Sequence, residues 1–366
     1  MRLDIGDSSD VRHRVGVVGA GAIALASAAW LRHAGHEVAL WSPRMVPNPI
    51  EARAAWTLQV KGLRPGQVDV QAATDAGALC RDCDVLLLAL PVDGHRAVID
   101  CLLPALREGQ WVIVSSMASL SALYLREQAL SAGKDVTVLS YSTTALTARR
   151  IDPKRVRIMM RRSSIGVSSL PQSRIDQGIA LCERLFGSGF VAQPGALASA
   201  ISNVNPTSHA PMALFNWTRI ERGEAWPQYH YLTPSVARVI EALDAERRAL
   251  ARAFGIEVGT VEQHFRNSFG TEAAQLRDIA DELHAKRGGP PGPTALDTRY
   301  LTEDIPFGLV FLLALGKVAG VRLPATRTLV DAVSLASGHD YAGDNDLIGP
   351  LRLATESIEG LVARLR

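Results

Sequence analysis

Apolar positions follow two rhythms along this chain. Up to about residue 198 they come as short unbroken runs, Val15 to Val18, Val85 to Leu90, Trp111 to Ser115 and Val136 to Leu139. Unbroken runs of this length are what strands covered on both faces show, because neither face has to meet water. RVRIMM at 155–160 and FVAQ at 190–193 predict two more strands, with the helix IDQGIALCERLFG between them. Beyond residue 198 the period becomes helical. Thr233 as cap and Pro234 at the first position open a long helix whose stripe Val236, Val239, Ile240, Leu243, Leu250 and Phe254 runs to Gly255. Glu241, Asp244, Glu246, Arg247 and Arg248 read as its solvated face. A further helix is predicted around 271–286, then a breaker-rich loop, RGGPPGPT, and an apolar helix opened by Pro306 and closed by Gly320; Pro324 opens the next. The pattern predicts an α/β chain: an N-terminal Rossmann domain with a doubly wound parallel sheet over 1–198, followed by an all-α domain over 199–366. The active site is expected in the cleft between the two.

The first strand runs into a glycine turn that adds chemistry to the pattern. Gly19, Gly21 and Ala24 form GxGxxA, followed by an alanine-rich helix, Gly35, and a second strand EVALW. The first glycine permits the tight turn, the second lets backbone approach a pyrophosphate, and the small third residue keeps helix and sheet close. The pyrophosphate would rest on backbone N–H groups at the helix start, around Ala22. An NAD site usually has Asp or Glu at the end of the second strand, whereas here Trp41, Ser42, Pro43 and Arg44 follow. A hydroxyl and a guanidinium suit a 2′-phosphate, so Ser42 and Arg44 favour NADP(H) over NAD(H); the alternative for Arg44 is an ordinary solvated loop residue. The strand ends Leu90, Pro91, Ser115 and Ser116 should line the cofactor crevice.

Composition narrows the classes. With 366 residues, 47% hydrophobic and 21% charged, the chain is globular and long enough for two cores. A net charge of +2 with no basic cluster gives no support to a nucleic-acid partner. The longest apolar run, at 307–320, is shorter than the roughly 20 residues of a membrane span and contains Lys317. It could be core or the interface of a homodimer. The first residues lack the apolar core of a secretory signal, so a cytoplasmic enzyme with no membrane association is expected. Cys80 and Cys83 form a CxxC without a second Cys or His pair nearby, and read as reduced core thiols rather than a redox or metal site.

A nicotinamide enzyme needs a proton-transfer group and a group that holds the substrate's charge. Of the histidines in the second half, His264 and His284 sit in charged helical contexts, His339 in a turn, and His230 in the aromatic stretch WPQYHY. His209, in NVNPTSHAPM, differs. Asn205 can cap and Pro206 can open a first turn, while Pro211 would break or restart it, so the imidazole is expected beside a helix N-terminus that favours its neutral form. Read alone, it could also be only a cap. Tyr229, with Asn216, Trp217, Trp226 and His230, is expected to shape an amine pocket.

NVNPTSHAP at 203–211 together with RYLTEDIPFGLV at 299–310 resembles the opine dehydrogenases of the octopine and nopaline dehydrogenase family, over essentially the whole chain from Arg14. The resemblance implies an enzyme that uses NADH or NADPH to condense the amino group of an amino acid reductively with an α-keto acid, and runs the reverse oxidation. It implies that His209, in the Asn-Pro-x-x-His motif that also holds Asn205, transfers the proton, and that Asp304 is its partner. From the residues alone, Asp304 reads as an acid at the positive end of the following helix. Arg299 is the expected carboxylate clamp, because a planar fork can hold a carboxylate with two hydrogen bonds; its alternative is an ion pair with Glu303 or Asp297.

Two rivals share the first half. Dehydrogenases of the hydroxy-acid, ketopantoate or glycerol 3-phosphate type rely in several cases on a lysine in the second domain, which here offers only the ill-placed Lys286 and Lys317. A non-enzymatic NADP sensor would bind cofactor without turnover. No residue cluster suggests a metal.

Overall fold

The computed structural model describes residues 11–43, 55–287 and 290–366, and in it the apolar runs of the first half are strands of one sheet. The strands are β1 (Arg14–Val18), β2 (Glu37–Trp41), β3 (Ala55–Gly62), β4 (Gly66–Ala72), β5 (Val85–Leu88), β6 (Trp111–Val114), β7 (Thr137–Tyr141), β8 (Leu146–Asp152), β9 (Arg155–Arg161), β10 (Ile165–Leu170) and β11 (Phe190–Ala192). Their order is β11-β10-β7-β6-β5-β1-β2-β4-β3-β9-β8. The inner six, β7 to β4, are parallel throughout. The sheet turns mixed beyond them, with antiparallel pairs at β3–β4, β8–β9 and β7–β10. The chain starts in the middle at β1, steps to β2 on one side and reaches β5 on the other. That reversal of strand order opens a crevice at the carboxyl ends of β1 and β5. β5, β7 and β10 are buried at every position, which is why they carry no alternation. β5 stops at Leu88 rather than Leu90. After the Ala89 N–H bonds the Val18 carbonyl at 2.9 Å, Leu90 turns off toward Pro91, which cannot continue a ladder.

The first helix, Ala22–His33, lies close on this sheet because half of its buried residues are alanine. Ala24, Ala26, Ala28 and Ala29 are fully buried in a core with Val15, Val17, Leu40 and Leu87. This unit comprises the described residues up to 117, residues 121–196 and Arg366; residues 118–120 and 197–365 form the second compact unit.

The second unit is helical, and several of its elements depart from their sequence reading. The long helix runs Pro234–Ala253 with Thr233 at its N-cap position, as the pattern predicts. Its charged residues are not a uniformly solvated face. Arg247 is buried, with Nε and Nη2 donating to Asp244 Oδ1 at 2.9 and 2.6 Å, Nη1 to the Ile201 carbonyl at 2.7 Å and Nη2 to the Gly259 carbonyl at 2.6 Å. Such a pair ties the helix to two distant backbone segments, and the buried guanidinium is stabilised by its hydrogen bonds to the carboxylate and the two carbonyls. Glu246 accepts from the N–H groups of Ala325 and Thr326 at 2.7 and 2.9 Å, stabilising the open N-terminus of the helix Pro324–Ser337. A helix over Val261–Phe269, opened by a Thr260/Gln263 capping box, precedes the expected one, which spans Leu276–Arg287. Pro306 does not open its helix: the chain is already helical at Arg299–Thr302, widens into a π-helical segment at Asp304–Val310 and continues as Phe311–Ala319, closed by Gly320. The proline ring would collide with the carbonyl four residues earlier in an α-helix, and the wider turn relieves it. Residues 304–312 are buried. Among the described residues no helix is long and apolar enough to cross a membrane.

Candidate active site

His209 lies in the helix Asn205–Leu214, which packs against the π-helical segment. Asn205 is the first helical residue rather than the cap; Asn203 Oδ1 accepts its N–H at 3.0 Å. Pro211 neither breaks nor restarts the helix, which continues to Leu214 with the Phe215 N–H on the Pro211 carbonyl at 3.0 Å. Both neighbours of Pro211 are buried, so packing outweighs the roughly 3 kcal/mol that an interior proline costs. The two segments pass in opposite senses. Pro206 sits on Gly308, where an added Cβ would come within 2.3 Å of the proline ring, and three residues later His209 meets Asp304. His209 Nδ1 is 2.8 Å from Asp304 Oδ2. A carboxylate oxygen accepts, so Nδ1 carries a proton and the other ring nitrogen, Nε2, is the one left for a further partner. Asp304 is buried at 8% exposure, while 24% of the His209 side chain remains open. The pair is therefore sheltered on the aspartate side and reachable on the imidazole side.

Two groups around the pair carry no signal in the periodicity. Tyr300, one turn before Asp304, stacks flat on His209 with ring centroids 3.9 Å apart and planes 4° from parallel. Its hydroxyl donates to Gln228 Oε1 at 2.7 Å, and burial, with Asp304 nearby, pushes the phenol well above its ordinary range. The π-helical carbonyls of Pro306 and Phe307 are satisfied from afar: Asn345 Nδ2 donates to the first at 2.9 Å and Ser119 Oγ to the second at 2.7 Å.

Of the other residues expected here, Asn205 lies one turn before His209 on the same helix face. Arg299 is 68% exposed and its Nε donates to Glu303, the ion pair that the sequence left open as the alternative. Tyr229 is buried and packs edge-on against Phe265 and Phe269, each at 6.1 Å, so its ring is core rather than open pocket wall. Trp226 is also buried, donating to the Pro293 carbonyl at 2.9 Å.

In the first unit Gly19 adopts φ +128°, and a Cβ there would lie 2.5 Å from the Ala89 carbonyl oxygen; only glycine fits this turn. A Cβ on Gly21, by contrast, meets nothing within 4 Å, so the turn is open on its outer side. Gly21 holds the N-cap position of the helix that starts at Ala22 and offers no side-chain cap, which leaves first-turn N–H groups for an anion. Ala24 is fully buried against the turn. A dinucleotide pyrophosphate fits these features. Arg150 Nη1 donates to the Ala20 carbonyl at 2.9 Å, bracing the loop. Ser42 is buried at the end of β2, Pro91 starts the turn after β5, and Arg44 lies outside the described residues.

Residues 192–337 match the family model described as NAD/NADP octopine/nopaline dehydrogenase, alpha-helical domain. An opine dehydrogenase of Arthrobacter sp. (strain 1C) is 28% identical over 348 residues, covering 94% of this chain and 96% of that protein. The second half of the chain is thus similar to the alpha-helical domain of the octopine/nopaline dehydrogenase family. Among solved structures, octopine dehydrogenase in complex with NADH and agmatine matches with a TM-score of 0.78 at 18% identity, over 97% of this chain and 98% of that one. NADP+-bound yersinopine dehydrogenase matches with a TM-score of 0.72 at 17% identity, over 94% and 98%. The fold is thus shared with these dehydrogenase structures along the length of the chain. Sequence reasoning missed Tyr300 and Gln228. The tyrosine stands within the RYLTED stretch, but nothing in its spacing says that it stacks on a residue about ninety positions earlier.

Proposed function

We propose that this protein is an opine dehydrogenase: it condenses the amine of an amino acid with an α-keto acid and reduces the resulting imine to a secondary-amine dicarboxylate, with the reverse oxidation available at the same site. The observation that carries the reading is the His209–Asp304 pair, a 2.8 Å bond that commits Nδ1 and leaves Nε2 of a partly exposed imidazole for the substrate. The names of the Arthrobacter relative and of the solved neighbours support it. When bound, the nicotinamide cofactor supplies or accepts the hydride. The backbone from Gly19 to Ala22 holds its pyrophosphate against the first helix, with Ala24 keeping that helix close, and Pro91 stands where the crevice opens. NADP(H) is the favoured cofactor, because β2 ends in Trp41 and Ser42 with no carboxylate for the ribose.

On the substrate side, His209 Nε2 handles the proton of the condensing nitrogen or oxygen, and Asp304 stabilises the imidazolium that forms. Arg299, oriented by Glu303 and exposed, binds the keto-acid carboxylate, and Asn205 lies one turn before His209 on the helix face that the imidazole shares. The test mixes purified protein with NADPH or NADH and a panel of α-keto acids, with and without a panel of amino acids. Cofactor oxidation should require both substrates, and oxidation by a keto acid alone would assign the hydroxy-acid rival instead. His209→Ala should keep cofactor affinity while turnover falls about 100-fold or more. Binding without turnover on every pair would leave the sensor.

A further inference from the structure

A histidine held only by one hydrogen bond can still rock about the axis of that bond. Asp304 fixes where Nδ1 points, but rotation about the Nδ1···Oδ2 line would swing Nε2 across the substrate. The Tyr300 ring lies in contact with the whole imidazole face, 3.9 Å between centroids and 4° between planes, and blocks that rotation. The tyrosine is itself tethered, since its hydroxyl donates to Gln228 Oε1 at 2.7 Å. Gln228 is buried, and its backbone N–H donates to the Pro290 carbonyl at 3.2 Å. On the next residues of this strip, Trp226 covers Gly292 so closely that a Cβ there would meet the indole at 2.1 Å. The proline- and glycine-rich loop thus acts as the footing of Gln228, Gln228 ties down Tyr300, and Tyr300 sets the plane of His209. The hydroxyl points to Gln228 and not to His209, so the phenol is no proton donor to the imidazole.

We infer that Tyr300 is a positioning residue of the reaction: its stacked ring sets the imidazole plane in which His209 Nε2 meets the condensing nitrogen, while the hydroxyl tether to Gln228 adds stability. This rests on the reading of His209 as the proton-transfer group. A ring held in plane matters to turnover more than to binding, because displacement of a catalytic group by about 1 Å can cost on the order of 100-fold in rate.

The test compares the full chain with Tyr300→Phe and Tyr300→Leu, on the substrate pair that the unaltered protein turns over. Phenylalanine keeps the stack and loses only the tether; kcat should stay within about threefold, with a melting temperature about 2–4 °C lower from the lost buried hydrogen bond. Leucine keeps apolar bulk and loses the aromatic face; kcat should fall about 10- to 100-fold while both KM values and cofactor affinity stay within about threefold. A second readout does not depend on activity: in histidine-labelled protein, the His209 Hε1 resonance, identified by its loss in His209→Asn, should sit upfield from the ring current of Tyr300. It should move downfield in Tyr300→Leu and remain in Tyr300→Phe. Should the leucine variant fail to fold, Tyr300→Met takes its place with the same expectations. An unmoved resonance, equal losses of kcat in the phenylalanine and leucine variants, or a loss confined to KM each overturns the inference while the proposed reaction stands. An unaltered protein that turns over no pair removes the reaction and the positioning role together, and the resonance then reports on the stack alone.

Discussion

Burial pushes the thiol of Cys80 up to about 11 and that of Cys83 up to about 12, so at neutral pH both are protonated and poor nucleophiles. Their CxxC spacing is therefore a consequence of packing, with Cys83 closing a short helix before β5. Cys182 is buried as well and Cys101 is exposed. A thiol reagent at pH 7.5 should titrate about one cysteine in the folded protein and four after denaturation, the one being Cys101. Prompt reaction of two or more native thiols, or a Cys80–Cys83 disulfide found by mass spectrometry, would contradict this. The same residue-scale reasoning separates His209 from the other histidines of its half: His339 pairs with Asp344 at 2.7 Å in an exposed turn, whereas His209 pairs with an aspartate that is itself buried.

At the scale of elements, the site depends on how closely two helical segments approach. The contact is made by a ring and a hydrogen: Pro206 occupies the space that any side chain at position 308 would need, and a methyl carbon there would lie 2.3 and 2.5 Å from the ring Cγ and Cβ. Gly308→Ala should push the π-helical segment away from the helix Asn205–Leu214. The overpacking should cost about 1–3 kcal/mol in urea unfolding, and the stretched His209–Asp304 bond should lower turnover at least tenfold with cofactor affinity unchanged. A fully active Gly308→Ala protein would mean that the segment shifts freely and the pair does not need this approach. The motif-bearing stretches were legible as sequence, since GAGAIA, NPTSH and the DIP opening are short and local. That Pro211 and Pro306 would lie inside helices was not, because single-residue propensity counts only the lost bond and the ring clash. Around the widened turn, Asn345 and Ser119, both far away in sequence, donate to the carbonyls of Pro306 and Phe307, contacts that no local pattern shows.

At the scale of the whole molecule, His95 in the first unit is a fully buried titratable group, with Nε2–H donating to the Leu90 carbonyl at 3.1 Å and Nδ1 accepting from the Ser121 hydroxyl at 2.9 Å. Burial lowers it to about 4 from its ordinary 6.5. Between those values the unfolded chain takes up a proton that the folded chain refuses, so stability from this group is whole above about pH 6.5 and declines as pH falls toward about 4. The upper bound is roughly 3 kcal/mol, and His95→Gln should flatten the urea-midpoint profile over that window relative to the parent. Parallel profiles would show that the histidine titrates alike in the folded and unfolded chain. Because His95 pins the turn at Leu90 and Pro91, cofactor affinity of the folded protein should hold across this window and weaken only as pH falls through about 4. The amino-acid sequence by itself determined the period of each half, the Gly19 turn that no other residue can make, and the α/β-then-helical order, because strand runs, helical stripes and a positive φ are properties of neighbours along the chain. The family resemblance already implied that Asp304 partners His209, whereas tertiary structure alone decided that Tyr300 stacks on it and that Asp244 and Arg247 turn inward. Each of these joins groups through packing, and packing distances between remote segments are set by which side chains fit, not by spacing in sequence.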